Sequence, residues 1–514
     1  MKENAYIVGI DVGTTGTKTV VYDLDSNVVS KAYREYSTIN IKPGWVEQDA
    51  EMLVTATFEA CKEALSRVDA SRVVSMGLST QRACATFVDR DGRAMKFFSW
   101  QDCRAEQELE EIRKVISNDD FYKLSGVPLN AAWILPKIMW VKNNEPDIYE
   151  KTVRVVQLHD LIQKRLGAED YYSSASELGF YCVWNTDEFR WEDQLIEKVG
   201  LDKRLLACAA ECGTEIGRVT AWASEQTGLP VGLPLTVSVG DENCACIGAG
   251  VVSPGQLSVD MGTGGMLLGF LDKPYRDPNQ AFMIVNHAMR GCYELEGWQK
   301  GAAGIFRWYR DEIATHEVEL AKARGVDPYI LLDELMETAP VGSRGLVVLP
   351  YFATAGTPRW NDNARGTIFG LSYAHDRACL TRAFVEGITY EIKDMIASLK
   401  KSGLPATDAC IIGGPTKCEL WNQIQADVYN IPVYTTEISD ASVIGAAIIG
   451  AAGQGVYKDI NEAVSCLVKA KKTYEPIPEN AKLYEELYDV YTRVYEGLDG
   501  SGAFESLANI QKRL

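Results

Sequence analysis

The sequence predicts an α/β protein with two lobes that face each other across a cleft. Three observations support this fold class. The 514 residues exceed what a single hydrophobic core usually serves. Apolar, strand-like runs alternate along the chain with stretches of helical periodicity. A Gly/Thr-rich signature occurs once in each half of the chain, as expected when two related lobes are joined in one protein.

The repeated signature covers residues 10–16 and 259–265. It reads Ile-Asp-Val-Gly-Thr-Thr-Gly in the first half and Val-Asp-Met-Gly-Thr-Gly-Gly in the second. Each copy ends a β-branched run and leads into another extended apolar run. We therefore expect each lobe to open with a strand, a Gly/Thr loop and a return strand.

Further elements follow the same periodicity argument. Strands are predicted over 73–78, 235–239, 346–349 and 410–412, and helices over 49–67, 377–400 and 418–429. Glycines and a proline punctuate residues 245–255, which places the lobe boundary there. The predicted division is an N-terminal lobe over 1–247, a C-terminal lobe over 248–480, and a C-terminal helix and tail over 481–514.

Composition and charge narrow the classes of function. Apolar residues make up 46% of the chain and charged residues 24%, which argues against a disordered scaffold. The formal net charge of −19 disfavours binding to nucleic acid or to an anionic membrane surface, because both require positive patches. No apolar stretch is long enough to span a bilayer, so a cytoplasmic location is the expectation.

The thirteen cysteines are scattered and odd in number, which suits reduced thiols rather than a disulfide framework. Cys208 and Cys212 lie four residues apart, but no second Cys/His pair with zinc spacing accompanies them.

The first candidate for chemistry is the loop from Asp11 to Lys18. Gly13 offers accessible backbone N–H groups, Thr14 and Thr15 offer hydroxyls, and Lys18 adds a positive charge, a set suited to wrapping a polyphosphate. Asp11 is placed to hold Mg²⁺ through water. The loop is not a Walker A motif, because Lys18 enters a strand and not a helix. An ordinary Gly/Thr hairpin turn would also produce this octet.

Two more glycine-rich turns extend the phosphate hypothesis. Gly262 and Thr263, in the second copy of the signature, would grip the β- and γ-phosphates from the opposite lobe. Gly413 and Gly414 follow a predicted strand and precede a predicted helix, a turn at which the backbone can approach a ligand closely.

Phosphoryl transfer also needs a carboxylate that accepts the proton of the attacking hydroxyl. Asp241 is the candidate, because it follows the predicted strand 235–239, where catalytic side chains often project. Gly240 precedes it, and Glu242 and Asn243 follow it. A solvated turn aspartate is the plainer interpretation of the same context.

Taken in order, these motifs resemble the FGGY family of carbohydrate kinases, which includes xylulokinase, glycerol kinase, gluconate kinase, ribulokinase and autoinducer-2 kinase. The resemblance runs along essentially the whole chain, and the shared order of its landmarks makes it specific. The landmarks are residues 9–15, 43–49, 77–82, 99–104, 240–242, 260–263, 349–352, 364–366, 382–387 and 421–428.

The resemblance implies two actin-like (ribonuclease H-like) lobes, with the sugar bound mainly by the first and ATP mainly by the second. It implies that Asp241 is the catalytic base and that Asp11 and Asp241 are associated with Mg²⁺. A homodimer is a candidate assembly. The residues implied to bind the nucleotide are Asp11, Gly13, Thr14, Thr15, Lys18, Gly262, Thr263, Gly304, Gly413, Gly414 and Lys417.

For the sugar, the implied ligands are Gln81, Arg82, Trp100, Gln101, Asp102, Glu242 and Asn243. The pair Gln81-Arg82 resembles glycerol kinase, but Ala83 stands where that enzyme has Glu and Ala132 where it has Tyr. These smaller residues predict a roomier pocket. They favour a longer polyhydroxylated acceptor, such as the ketopentose xylulose, over glycerol. Gluconate, erythritol and autoinducer-2 are the alternative acceptors.

Two functions outside kinase chemistry remain open at this stage. One is an actin-like or chaperone-like ATPase of the same superfold, and the sugar-lobe landmarks argue against it. The other is a catalytically silent sugar sensor, and the acidic charge argues against a DNA-binding version.

Overall fold

The structure is a computed structural model that describes residues 4–514. The N-terminal lobe is built on a five-stranded sheet. Its strands, in spatial order, are Val239–Gly240, Val73–Thr80, Tyr6–Val12, Gly16–Asp23 and Val28–Glu35. The last three form an antiparallel meander, whereas Tyr6–Val12 and Val73–Thr80 are parallel neighbours.

The C-terminal lobe repeats this arrangement in a seven-stranded sheet. Its strands, in spatial order, are Met283–Asn286, Tyr293–Gln299, Gly265–Leu271, Gln256–Met261, Asp408–Gly413, Val433–Thr436 and Ala470–Tyr474. Strand Gln256–Met261 forms an antiparallel hairpin with Gly265–Leu271 and a parallel pair with Asp408–Gly413. Each copy of the sequence signature therefore lies at the same place in its sheet, which confirms the two-lobed α/β prediction.

The remaining strands form smaller sheets. A second five-stranded sheet of the N-terminal lobe contains Ile39–Lys42, Trp45–Glu47, Ala94–Phe98, Ala85–Asp89 and Thr152–Val156. Two-stranded sheets pair Tyr172–Ser174 with Cys208–Ala210, Trp184–Asn185 with Arg190–Trp191, Glu215–Arg218 with Pro234–Thr236, and Val347–Leu349 with Thr367–Phe369. The predicted strand 235–239 is thus divided between two sheets.

Helices cover the sheets of both lobes. Those before residue 250 are Ala50–Leu65, Glu106–Arg113, Asn118–Ser125, Ile134–Asn144, Pro146–Lys151, Leu158–Leu166, Ala175–Leu178, Asp193–Lys198, Ala221–Thr227 and Asp241–Gly248. Those after it are Ala303–Trp308, Thr315–Arg324, Pro328–Glu337, Arg377–Lys401, Glu419–Tyr429, Ala441–Gly453, Ile460–Leu467, Pro478–Gly500 and Ala503–Gln511. None of the helices in residues 4–514 has both the length and the apolar character that a bilayer crossing demands.

Small residues bring the two lobes into close contact. Helix Ala441–Gly453 packs on helix Asp241–Gly248 and on the first N-terminal sheet. A Cβ atom added at Gly445 would lie 1.8 Å from the carbonyl oxygen of Cys244, so only glycine permits this approach. The same holds at Gly77, where an added Cβ would lie 1.8 Å from the carbonyl oxygen of Ala446. The lobe contact therefore rests on backbone-to-backbone packing just behind the cleft.

The chain after residue 477 is helical, including the segment expected to be a tail. Helix Pro478–Gly500 packs in the C-terminal lobe, where Tyr484, Tyr491 and Tyr495 are buried. Helix Ala503–Gln511 follows it and buries Phe504. This aromatic anchor explains why the last helix folds onto the lobe.

Candidate active site

A cavity of about 480 Å³ lies between the lobes at the ends of the two signature hairpins. Both lobes line it. The N-terminal lobe supplies Thr14, Arg82, Ala83, Trp100, Gln101, Asn130, Ala132, Trp133, Phe180, Asp241 and Glu242. The C-terminal lobe supplies Asp260, Gly262, Gly264, Gly265, Met266, Met283 and Trp298.

The first Gly/Thr loop is a tight hairpin whose backbone is fixed by hydrogen bonds. Gly13 N–H donates to the carbonyl of Gly16 at 3.0 Å, and Tyr36 donates its hydroxyl to the carbonyl of Gly13 at 2.8 Å. Thr14 lies at the cavity, where its hydroxyl accepts from the indole N–H of Trp100 at 2.9 Å. Thr15 is exposed at the tip of the loop.

The second loop mirrors the first across the cavity. Gly262 and Thr263 are exposed, and the carbonyl of Thr263 accepts from Gly304 N–H at 3.2 Å. A Cβ at Gly304 would lie 2.7 Å from that carbonyl oxygen, so glycine is needed where helix Ala303–Trp308 begins against the loop. Two facing hairpins with accessible backbone form a cleft suited to phosphate groups.

Three aspartates, one from each loop and one from the helix between the lobes, carry the charge of the site. Desolvation raises the pKa of Asp11 to about 7, and Asp241 adds to the rise, while a 2.6 Å hydrogen bond from Ser79 opposes it. Desolvation, with a further contribution from Asp241, raises the pKa of Asp260 to about 6. Asp241 therefore repels both Asp11 and Asp260, and it lines the cavity together with Asp260.

Such a cluster fits a hard divalent cation. Mg²⁺ is held by a few carboxylate oxygens together with water and phosphate oxygens, and a cation would relieve the repulsion that raises these pKa values. The donors Asp11, Asp241 and Asp260 are all oxygen ligands, as this ion prefers. The residues present are thus compatible with Mg²⁺.

Asp241 begins helix Asp241–Gly248 directly after strand Val239–Gly240. A carboxylate oxygen of Asp241 lies 3.6 Å from Nε of Arg82, and 34% of the Asp241 side chain is exposed. Desolvation raises its pKa, while Arg82 and the backbone N–H of Glu242 lower it. Gly240 is required beside it, because an added Cβ would lie 2.2 Å from Cγ of Arg82. The geometry presents a base whose proton affinity is increased above that of an aspartate in water.

Arg82 is fixed by a buried partner from the other lobe. Its two terminal nitrogens donate to the two carboxylate oxygens of Glu296 at 2.5 and 2.7 Å. Arg82 has 9% of its side chain exposed and Glu296 has none. Behind them, Glu177 accepts from Gly240 N–H at 3.1 Å, and desolvation raises the pKa of Glu177 to about 7. These contacts hold the strand end that presents Asp241.

The predicted sugar ligands separate into two groups. Arg82, Trp100, Gln101 and Glu242 line the cavity, and desolvation together with the neighbouring Asp241 raises the pKa of Glu242 well above its usual value. Gln81 is buried beneath the first loop, where it accepts from Thr14 at 3.4 Å and donates to Gln48 at 2.8 Å.

Asp102 and Asn243 do not reach the cavity, contrary to the expectation that they contact the sugar. Asp102 is completely buried, and its oxygens accept from Arg104 and from Val46 N–H. Asn243 is completely buried and accepts from Ala288 N–H at 2.9 Å. The oxygens of both side chains are thus occupied by internal donors, which a linear motif does not reveal, although the amide nitrogen of Asn243 is buried without a hydrogen bond.

Lys18 also has a partner that the sequence pattern did not indicate. Its ammonium lies 2.8 Å from a carboxylate oxygen of Asp440 in the C-terminal lobe. It remains close enough to Asp11 to oppose the rise in the pKa of that carboxyl group. In this structure it therefore links the lobes beside the phosphate loops.

The predicted nucleotide-binding turn at Gly413 and Gly414 has a backbone conformation that favours glycine. Gly413 has φ +94°, and a Cβ there would lie 2.5 Å from the carbonyl oxygen of Met261. Gly414 and Lys417 are exposed on the short helical turn Gly414–Lys417. Their contact with nucleotide stays a prediction.

The apolar wall of the cavity agrees with the roomier pocket predicted from Ala83 and Ala132, both of which line it. Trp133 packs on Phe180 with ring centroids 4.8 Å apart, and the guanidinium of Arg82 lies 5.2 Å from the ring centroid of Phe180. Aromatic faces of this kind suit the C–H surface of a sugar.

Asp260, Glu177 and Glu296 were not among the residues selected from the sequence. Asp260 could have been found, because it occupies the position of Asp11 in the second copy of the signature. Glu177 and Glu296 could not be identified from the sequence. Their roles depend on contacts with Gly240 and Arg82, which are distant from them in the chain.

Two actin-like lobes with facing phosphate loops and an aspartate between them define a phosphotransferase of the two-lobed kinase class. Residues 6–248 match the family model for the N-terminal domain of the FGGY family of carbohydrate kinases, and residues 257–453 match that for the C-terminal domain. The chain belongs to the FGGY family of carbohydrate kinases. It is therefore a phosphotransferase that acts on sugar hydroxyl groups with ATP as the donor, which decides against the ATPase and sensor hypotheses.

Individual relatives differ in their acceptors. The autoinducer-2 kinase of Enterobacter sp. (strain 638) is 28% identical over 98% of this chain and 97% of the relative. The xylulose kinase of Bacillus subtilis (strain 168) is 25% identical over 95% of this chain and 96% of the relative. The ligand-bound xylulose kinase structure from Lactobacillus acidophilus has a TM-score of 0.88 at 23% identity, covering 97% of this chain and 99% of that one.

Proposed function

We propose that this chain transfers the γ-phosphoryl group of ATP to a hydroxyl group of a neutral polyhydroxylated acceptor, with the ketopentose xylulose as the best candidate. The observation that carries this proposal is the charge of the cavity wall. Among the described residues that line it, Arg82 is the only cation, and it is already paired with Glu296 and Asp241. Asp241 and Asp260 bring negative charge to the same wall, and Glu242, whose pKa is raised well above its usual value by desolvation and by Asp241, adds a carboxyl group.

This balance disfavours an anionic acceptor. A carboxylate such as that of gluconate would enter beside three acids with no unpaired cation to receive it, and like charges in a partly desolvated site repel strongly. Neutral hydroxyl groups can instead donate to the carboxylates and accept from Gln101 and Asn130, which also line the cavity. A cavity of about 480 Å³ also exceeds what glycerol needs.

In the proposed reaction, Asp241 accepts the proton of the attacking hydroxyl. Its pKa is raised by desolvation, which improves proton acceptance, and Arg82 keeps the carboxylate in position. Mg²⁺ held by Asp11, with Asp241 and Asp260 as further ligands, would neutralise charge on the phosphate groups. Thr14, Gly262 and Thr263 would bind the transferred phosphoryl group from opposite sides. Closure of the lobes would exclude water and limit hydrolysis of ATP.

The autoinducer-2 precursor is a second candidate acceptor, supported by the autoinducer-2 kinases among the relatives. Glycerol and erythritol fit the charge of the wall but fill less of the cavity. A cytoplasmic location and a homodimeric assembly stay predictions.

Acceptor-dependent release of ADP tests the proposal. The wild-type enzyme with ATP and Mg²⁺ is assayed against xylulose, ribulose, erythritol, glycerol, gluconate and the autoinducer-2 precursor at equal concentrations. We expect the highest kcat/KM with xylulose and the lowest with gluconate. Preference for gluconate would contradict the charge argument, whereas preference for glycerol would contradict the size argument.

A further inference from the structure

Three side chains with metal-ligating groups meet in the interior, outside the cavity lining described above. Cys246, His287 and Glu294 are all buried, and their ligand atoms lie within 4.8 Å of one another. Cys246 belongs to helix Asp241–Gly248, and Glu294 belongs to strand Tyr293–Gln299. His287 directly follows strand Met283–Asn286. Three separate parts of the chain thus bring their ligand atoms together.

Most of these ligand atoms have no partner within the described residues. Nε2 of His287 and both carboxylate oxygens of Glu294 are buried without a hydrogen bond. The thiol of Cys246 contacts the carbonyl of Val251 at 3.7 Å and also lies near the carboxyl group of Glu294, a weak S–H interaction at best. Buried polar atoms are nearly always paired, so three unpaired atoms in one place indicate a missing partner.

We propose that Cys246, His287 and Glu294 bind a thiophilic divalent cation of the Zn²⁺ class. One thiolate, one imidazole and one carboxylate form a donor set that Zn²⁺ accepts, with a fourth position left for water. The thiolate favours Zn²⁺ over Mg²⁺ or Ca²⁺, which prefer oxygen ligands only. This site is therefore chemically distinct from the aspartate cluster at the phosphate loops.

One internal contact competes with metal binding. The backbone N–H of Met289 donates to Nδ1 of His287 at 3.1 Å, which places the ring proton on Nε2 in the metal-free protein. Coordination through Nε2 requires that proton to move to Nδ1 and that hydrogen bond to break. A single hydrogen bond to a neutral ring is weak compared with zinc bound by a buried thiolate. Coordination is therefore expected to prevail, with release to solvent of the Cys246 thiol proton and of the proton on the buried Glu294 carboxyl group.

One of the three ligands borders a cavity from which an ion could enter. His287 also lines a second cavity, of about 210 Å³, on the side of the molecule that carries Glu211, Cys212 and Cys292. These three residues offer further carboxylate and thiol groups along the route. An entry path is one of the requirements for a metal site that fills after folding.

A bound ion would hold together two elements of the active site. The helix that carries Cys246 begins with Asp241, and the strand that carries Glu294 also carries Glu296, the partner of Arg82. An ion that binds the folded chain in preference to the unfolded chain raises the unfolding temperature. We expect the ion to stabilise this helix–strand contact without taking part in phosphoryl transfer.

The test uses Co²⁺ as a spectroscopic substitute for Zn²⁺ in the full chain, first stripped of metal with a chelator. We expect one equivalent of Co²⁺ to produce a thiolate-to-cobalt charge-transfer band, and one equivalent of Zn²⁺ to remove the band and raise the unfolding temperature. Cys246→Ser should abolish the band. Cys410→Ser, which alters another buried cysteine of the same apolar cluster, should leave it unchanged.

Glu294→Gln keeps the side-chain volume but removes a charged ligand. It should weaken Zn²⁺ binding about 10- to 100-fold or more, because loss of a residue that only hydrogen-bonds to a metal ligand already reduces metal affinity by that factor. It also gives a second result if Cys246→Ser does not fold. Absence of the charge-transfer band in the wild-type protein would overturn the proposal. So would retention of wild-type Zn²⁺ affinity in Glu294→Gln. Neither measurement depends on kinase activity. The proposed metal site and the proposed acceptor are therefore tested independently.

Discussion

Removing the charge of Glu296 without changing the size of its side chain should make Asp241 a weaker base, through the effect on Arg82. In Glu296→Gln, Arg82 loses the bidentate partner that holds it at 2.5 and 2.7 Å. Its remaining carboxylate neighbour in contact is Asp241, at 3.6 Å. Arg82 lowers the pKa of Asp241 and Glu296 raises it. Both consequences of the substitution therefore lower the pKa of Asp241.

The expected size follows from these contacts. A nearby opposite charge lowers a carboxyl pKa and a nearby like charge raises it, so the acid limb of the kcat/KM profile should move to lower pH. A weaker base should also reduce kcat by about tenfold, a part of the roughly 10²–10⁴-fold that general-base catalysis contributes. Loss of one partner from a buried ion pair should cost up to about 3–5 kcal/mol of stability, less what Asp241 recovers.

The assay is the pH dependence of acceptor-dependent ADP release, with thermal unfolding measured on the same preparations. Glu391→Gln is the matched control, because Glu391 is a buried glutamate of the same lobe that accepts from Gln299 at 3.1 Å. The acid limb of the pH profile of Glu391→Gln should coincide with that of the wild type. A folded Glu296→Gln enzyme whose acid limb does not move would refute the role assigned to Glu296.

Three further predictions follow from the structure. Asp241→Asn should lower kcat by about 10²–10⁴-fold while nucleotide binding, measured by calorimetry, stays near the wild-type value; near-normal turnover would exclude Asp241 as the base. Gly445→Ala should destabilise the protein by about 1–3 kcal/mol in denaturant titration, because the new Cβ would lie 1.8 Å from a carbonyl oxygen. Gly497→Ala is the control: an added Cβ meets open space at this exposed helical position, so the substitution should stabilise the protein by about 0.5–1 kcal/mol. Equal effects of the two substitutions would contradict the close packing at Gly445. Desolvation raises the pKa of Asp11 in the folded protein from its ordinary value of 3.8 to about 7, so the nucleotide-free protein should lose stability as the pH rises between these values. Asp11→Asn should flatten that slope in thermal unfolding, and an unchanged slope would show that another group is responsible.

The sequence was informative where function depends on short-range pattern. The two Asp-x-Gly-Thr signatures predicted paired hairpins, because strand periodicity and glycine-rich turns are local properties. They do form equivalent hairpins in the two sheets, with Asp11 opposite Lys18 and Asp260 opposite Met266. Asp241 likewise lies at the end of its predicted strand. Local rules were sufficient there because neighbouring residues alone set the geometry.

Long-range pairing of charged side chains could not be predicted from the sequence. Lys18 pairs with Asp440, and Arg82 pairs with Glu296, across the lobe contact. The family resemblance implied Asp102 as a sugar ligand, yet Arg104 donates to both of its carboxylate oxygens. Which partner neutralises a buried charge is decided by packing between distant segments, and no periodicity in one sequence encodes it.

Transfer of label from ATP to a neutral acceptor tests the central claim most directly. With γ-labelled ATP, Mg²⁺ and equal concentrations of xylulose and gluconate in one reaction, the labelled product is identified by mass spectrometry. We predict that the label appears in a xylulose monophosphate and that Asp241→Asn does not form it. Label found mainly in phosphogluconate, or only in inorganic phosphate, would contradict the assignment of a neutral acceptor to this cavity.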